Sequence, residues 1–157
     1  MRDITEIIIH CSDTPEGRDD RAKNIRDWHM KGRGWKDIGY HYVIDLDGTI
    51  ELGRPIEKAG AHCTNHNAKS IGVCYVGGAI WRDGVDENGK PIKGEDGKTK
   101  LIPKDTRTAE QKKSLVKLLR ELIQKYPKAK IYGHRDFANK ACPSFDAKTE
   151  YKTLCGK

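Results

Sequence analysis

Two histidines and a cysteine are the residues of this chain whose types suit metal chemistry. His10 closes the apolar run Ile7-Ile-Ile9, and His134 closes Ala129-Lys-Ile-Tyr-Gly133. Cys142 follows eight residues later, in Lys140-Ala-Cys-Pro-Ser144. Imidazole nitrogen and thiolate are zinc donors. A His/His/Cys set leaves the fourth tetrahedral position open, which separates a catalytic zinc from a structural one. Six histidines in 157 residues give many such triples by chance, and ligands this far apart carry no local signature. On spacing alone, three separate core or surface groups are the better account.

The elements that would position them can be read from periodicity. Residues 4–10 have the pattern of a fully buried strand and residues 129–133 that of another. As parallel neighbours they would turn both imidazoles toward one sheet edge, where sites gather on a rigid base. Residues 19–31 read as a helix with Asp19 or Asp20 as N-cap and Ile25, Trp28 and His29 inward, stopped by Gly32 and Gly34. Residues 40–44 and 50–52 read as strands joined at the Asp47-Gly48 turn signature. Alternation along the first puts Tyr40, Tyr42 and Ile44 on one face and His41, Val43 and Asp45 on the other. Residues 53–70 read as loop, 71–77 as a strand, and the polar stretch 82–107 as an irregular hairpin. Residues 109–126 read as a helix opened by a Thr108/Gln111 capping box and ended by Pro127. The expected fold is α/β: one domain over residues 1–157, with a central mixed sheet flanked by helices.

The net charge of +7 favours anionic partners. No block of consecutive basic residues and no basic helix interleaved with aromatics is present, which argues against nucleic acid. Five cysteines, an odd number, do not make a disulfide framework and suit a reducing compartment. Cys74 sits in an apolar run and reads as core, while Cys11, Cys63 and Cys155 have no evident role. The N-terminus lacks a secretory signal pattern, and no stretch is long and apolar enough to span a bilayer. Synthesis in the cytoplasm, no membrane insertion and a monomer are the corresponding expectations.

Neighbouring motifs change the standing of the triple. They run in order as Ile7-Ile-Ile-His10-Cys-Ser, Gly34-Trp-Lys-Asp-Ile-Gly-Tyr40-His-Tyr-Val-Ile-Asp, Asp47-Gly-Thr, Gly60-Ala-His62, Ser70-Ile-Gly-Val, Gly133-His134-Arg-Asp and Lys140-Ala-Cys142-Pro-Ser-Phe-Asp146. Each alone is weak; in this order they are specific. From about residue 5 to residue 146 the chain resembles the zinc amidases that cleave N-acetylmuramoyl-L-alanine bonds, which include amidase-type phage lysozymes and peptidoglycan recognition proteins.

The resemblance implies one zinc per chain, held by His10, His134 and Cys142, with peptidoglycan as substrate and partner. It implies Tyr40 and Lys140 as catalytic residues, the phenol and the ammonium serving the developing oxyanion. It places His62, and more weakly Asn67, against the substrate. His41, His29 and His66 read as structural. The implied core is residues 4–146, with no separate wall-binding domain. A leaderless wall hydrolase with free cysteines suits a phage or prophage endolysin, made in the cytoplasm and reaching the wall after release; a toxin delivered by a dedicated apparatus is a second route. The rivals are a non-catalytic peptidoglycan-binding module, which loss of Cys142 would signal, and a cysteine hydrolase using Cys11 or Cys142.

Overall fold

The structure, a computed structural model, describes residues 2–155. Its strands are β1 (Glu6–Cys11), β2 (Thr14–Pro15), β3 (Tyr42–Ile44), β4 (Ile50–Leu52), β5 (Ser70–Tyr75), β6 (Gly78–Trp81), β7 (Leu101–Pro103) and β8 (Lys130–Gly133). The helices are α1 (Ala22–Asp27), α2 (Ala109–Lys125) and α3 (Ala147–Glu150). Five strands form a mixed sheet in the order β4-β3-β5-β1-β8. β1 lies parallel between β5 and β8, and only the β3–β4 hairpin is antiparallel. A smaller sheet, β2-β6-β7, abuts the C-terminal end of β1.

Central parallel strands are covered on both faces, so they read as continuous apolar runs. Ile7 and Ile9 of β1 pack with Val73, Ile131 and the α2 residues Leu115, Leu119 and Leu122. The opposite face holds Val43 and Cys74, packed with Ala22 and Ile25 of α1. Alternation along β1 then sends Ile8 and His10 to the α1 side. The N-terminus of α2 is tied to the sheet by Gln111, whose Nε2 donates to the carbonyls of Ile44 (3.2 Å) and Val76 (2.9 Å). Its capping box is formed as expected, with Gln111 N–H donating to Thr108 Oγ1 at 3.0 Å.

Three expectations differ from the structure. The first helix starts later, at Ala22, because Asn24 Oδ1 accepts the Arg21 N–H at 2.8 Å and takes the capping role from the aspartates. It then widens into a π-turn over Trp28–Gly32. Ile25 and His29 stay inward, but Trp28 turns out and is 39% exposed. Second, β3 begins at Tyr42, so strand alternation does not reach Tyr40 and His41. Tyr40 packs on the α1 side with Val43, not with Tyr42. Third, the hairpin expected over 82–107 starts earlier, at Gly78, and β6 and β7 are its base.

Candidate active site

The register of β1 and β8 builds the site. Ile9 pairs with Gly133, so the next residues along the two strands are His10 and His134. Their rings lie 4.6 Å apart between centroids. Cys142 returns to the same edge on a loop held at several points. Cys11 N–H donates to Cys142 Sγ (3.3 Å) and Arg135 N–H to the Cys142 carbonyl (2.8 Å). The Tyr75 hydroxyl donates to the Pro143 carbonyl (2.6 Å), and Ser144 Oγ donates to the Gly78 carbonyl (2.8 Å). Ser144 is held at φ 71°, a left-handed conformation that these contacts oppose losing. Phe145 is buried beneath the Arg107 guanidinium at 3.4 Å from its centroid. That guanidinium is fixed in turn by Asp105, Glu150 and the Tyr151 hydroxyl.

Among the described residues, His10, His134 and Cys142 form the one His/Cys/Asp/Glu group whose donor atoms all lie within 4.8 Å of one another. His10 Nδ1 and Cys142 Sγ are 3.8 Å apart. Tetrahedral zinc with ordinary Zn–N and Zn–S bonds asks for about 3.5 Å between such atoms, so the donor set fits zinc. Burial holds His10 well below the ordinary imidazole pKa, with His62, His134 and Lys140 adding to the effect. Burial, then the Lys140 ammonium, lowers His134 as well. Both rings are therefore neutral at pH 7, with lone pairs free to ligate. The Cys11 N–H at Cys142 Sγ is a donor suited to a thiolate.

His134 and Cys142 line a cleft of about 720 Å³, and His10 is buried behind them. Tyr40 and Lys140 line it, as do His62 and Asn67. The Tyr40 ring stands 5.0 Å from that of His10. Burial raises the Tyr40 phenol well above its usual pKa, so it is a proton donor at neutral pH. Trp28, His29, Arg33 and Trp35 form one wall, with Arg33 over the Trp35 ring at 5.1 Å.

The remaining histidines sort by their hydrogen bonds. His41 Nδ1 accepts the Gly72 N–H (3.0 Å) and its Nε2 faces the Lys58 carbonyl (2.8 Å), a structural role. His29 Nδ1 accepts the Gly39 N–H at 2.9 Å. His66 pairs with Glu6 and stacks on Phe137. Asn67 Oδ1 accepts the N–H groups of His62 and Cys63, both at 2.9 Å, and so braces the loop that carries His62. His62 presents neither ring nitrogen freely to the cleft. Nδ1 meets His10 Nε2 at 2.8 Å, and Nε2 meets Ser70 Oγ at 3.2 Å. The sequence pattern does not reveal this link, although His10, His62 and Ser70 each sit inside one of the ordered motifs.

A His/His/Cys donor set at the C-terminal edge of parallel strands, beside a cleft lined by a phenol and an ammonium, is an arrangement that metal-assisted hydrolysis can use. The sequence profile of the N-acetylmuramoyl-L-alanine amidases matches residues 1–145. The chain belongs to this family and has its activity, that of an N-acetylmuramoyl-L-alanine amidase. It is 41% identical to the endolysin of Escherichia phage T7 over 149 residues, covering 94% of this chain and 86% of that one. It is 39% identical to the endolysin of Enterobacteria phage K11, covering 97% and 88%. Among solved structures, the amidase LysC from Clostridium intestinale superposes with a TM-score of 0.72 at 26% identity, covering 99% of this chain and 88% of that one. Drosophila PGRP-LB superposes with a TM-score of 0.70 at 25% identity, covering 98% and 82%.

Proposed function

We propose that the chain is a zinc-dependent phage or prophage endolysin that cuts the amide between N-acetylmuramic acid and L-alanine in peptidoglycan. The observation that carries this reading is the convergence of His10, His134 and Cys142 at the edge of a cleft lined by His134, Cys142, Tyr40 and Lys140. The phage endolysins at about 40% identity over nearly the whole chain support the biological role. On this reading a single catalytic domain acts as a monomer, synthesised in the cytoplasm and reaching the wall after release. No helix among the described residues is long and apolar enough to cross a membrane.

Zinc, when bound, supplies a Lewis acid that polarises the scissile carbonyl and makes water nucleophilic near neutral pH. The chain's own residues carry the rest. The Lys140 ammonium and the Tyr40 hydroxyl donate to the oxyanion of the tetrahedral intermediate. Tyr40, protonated because it is buried, relays to the departing alanine amine the proton that the attacking water gives up, and so ends the cycle as the phenol. The cleft wall that includes His62 and Asn67 takes the stem peptide. Neutral His10 and His134 stay unprotonated through the cycle.

The test is chelation followed by repletion. Purified walls should release free amino groups, not reducing sugar, and release should stop on zinc removal and return with stoichiometric zinc. Full activity in protein shown to be metal-free would end the zinc reading and favour a cysteine nucleophile.

A further inference from the structure

Behind the metal face of His10 lies a contact that the amidase mechanism does not use. If Nδ1 of His10 offers its lone pair to the metal, Nε2 must carry the ring proton. That proton points at His62 Nδ1, 2.8 Å away, which must then be the acceptor. The proton of His62 is thereby placed on Nε2, 3.2 Å from Ser70 Oγ, which accepts it. One choice of tautomer satisfies all three contacts, and metal ligation selects it.

The His62 ring is also fixed in plane. It lies against two bare glycine backbones. A Cβ on Gly72 would come within 2.7 Å of His62 Cγ and Cδ2, and one on Gly60 within 2.6 Å of Cδ2. Ser70 is fully buried at the start of β5, and its carbonyl accepts from Arg2 at 2.8 Å. The acceptor for His62 is thus anchored to the central sheet, not to a loop. His62 itself is 8% exposed.

We propose that His62 is the positioning residue of the metal centre: it orients His10 and fixes its tautomer, with Ser70 at the end of the relay. Metal-ligating histidines commonly donate their second N–H to an oxygen acceptor, and losing that acceptor typically weakens metal binding by about ten- to a hundredfold. Here a neutral imidazole, backed by a serine, fills that place. The inference rests on the zinc reading above.

The test measures zinc affinity of the full chain by competition with a chromophoric chelator, alongside nitrogen-15 spectra of the histidine rings. His62→Leu keeps the bulk and removes the acceptor; its affinity should fall by about ten- to a hundredfold while the fold is kept. His62→Asn returns an oxygen near the place of Nδ1 and should bind within about threefold of the parent, a rescue that packing alone does not explain. In the zinc-loaded parent, His62 should appear as the Nε2–H tautomer, and it should stay so in Ser70→Ala, because the His10 Nε2–H still requires an acceptor at His62 Nδ1. Parent-like zinc affinity in folded His62→Leu overturns the proposal, and so does His62→Asn binding no better than His62→Leu. If His62→Leu does not fold, the parent spectrum decides, and His62 as the Nδ1–H tautomer overturns the relay. A parent chain that takes up no zinc overturns the zinc reading and the relay together, a result distinct from the others.

Discussion

At the scale of single residues, the proposed reaction separates groups that would hold the metal from groups that would serve the reacting carbonyl. Cys142→Ser should bind little zinc, and one zinc per chain retained in that variant, by elemental analysis, would remove Cys142 from the ligand set. Lys140→Ala and Tyr40→Phe should keep zinc and lose turnover. Each loss should be about a hundredfold or more, because each removes a donor aimed at transition-state charge. Unchanged kcat in either variant would return that side chain to the cleft wall. The residue types at positions 10, 134 and 142 are legible in the sequence only when their neighbours are read with them. His62 is harder. Its meaning depends on which nitrogen faces which partner, and on two glycines twelve residues apart that clear space for its ring. No pattern in one dimension carries that information.

At the scale of elements, the strands of the central sheet are readable, and β2 and β6 of the smaller sheet are not. β1, β5, β8 and α2 announce themselves through long apolar runs or a helical stripe. β2 has two residues, and β6 opens on Gly78, which like Gly77 before it has a positive φ, so neither has a period to detect. The start of β5 has its own test. Gly72→Ala should destabilise the fold by about 1–3 kcal/mol through overpacking against His62. It should also weaken zinc binding; unchanged denaturant midpoints and zinc affinity would show that the ring moves aside freely. The β3–β4 hairpin offers a second. Asp45 is fully buried and pairs with Arg21 at 3.1 Å, yet its Oδ1 lacks a hydrogen-bond partner. Burial, with Glu51 beside it, pushes its pKa up to about 7. Its raised value contributes stability below the unfolded carboxylate range, and that contribution is lost as pH rises through 7. Asp45→Asn should therefore exceed the parent in denaturant midpoint at pH 8 and lose that advantage by pH 4. A midpoint below the parent's at pH 8 would show that the ion pair with Arg21 matters more.

At the scale of the whole molecule, buried histidines set an acid limit. Burial lowers both His29 and His41 to about 4, so both are neutral in the fold. In the unfolded chain they protonate near the ordinary value of about 6.5. Between those values unfolding takes up about two protons from this pair, so their contribution is complete above 6.5 and falls as pH drops toward 4. In the Asp45→Asn background, where the opposing carboxyl is gone, urea midpoints should rise steadily from pH 4 to 6.5. A flat profile would mean that the two rings gain compensating partners when charged. The overall architecture, a mixed sheet between helices, follows from the order of runs in the sequence. The cleft does not, since it is assembled from Cys11, Trp28, Tyr40, Cys63, Leu101 and Cys142, which only the folded chain brings together.

The pairing of β1 with β8 has a consequence in time. His10 and Cys142 are 132 positions apart, and His134 likewise lies far downstream of His10. A nascent chain still on the ribosome, with its last strand and the Cys142 loop inside the exit tunnel, has one of the three donors and no site. If the proposed zinc site is the catalytic one, hydrolytic competence is withheld until Cys142 has been made and has cleared the tunnel. On the same proposal, products that stop short of Cys142 would lack the third donor and should show no amidase activity.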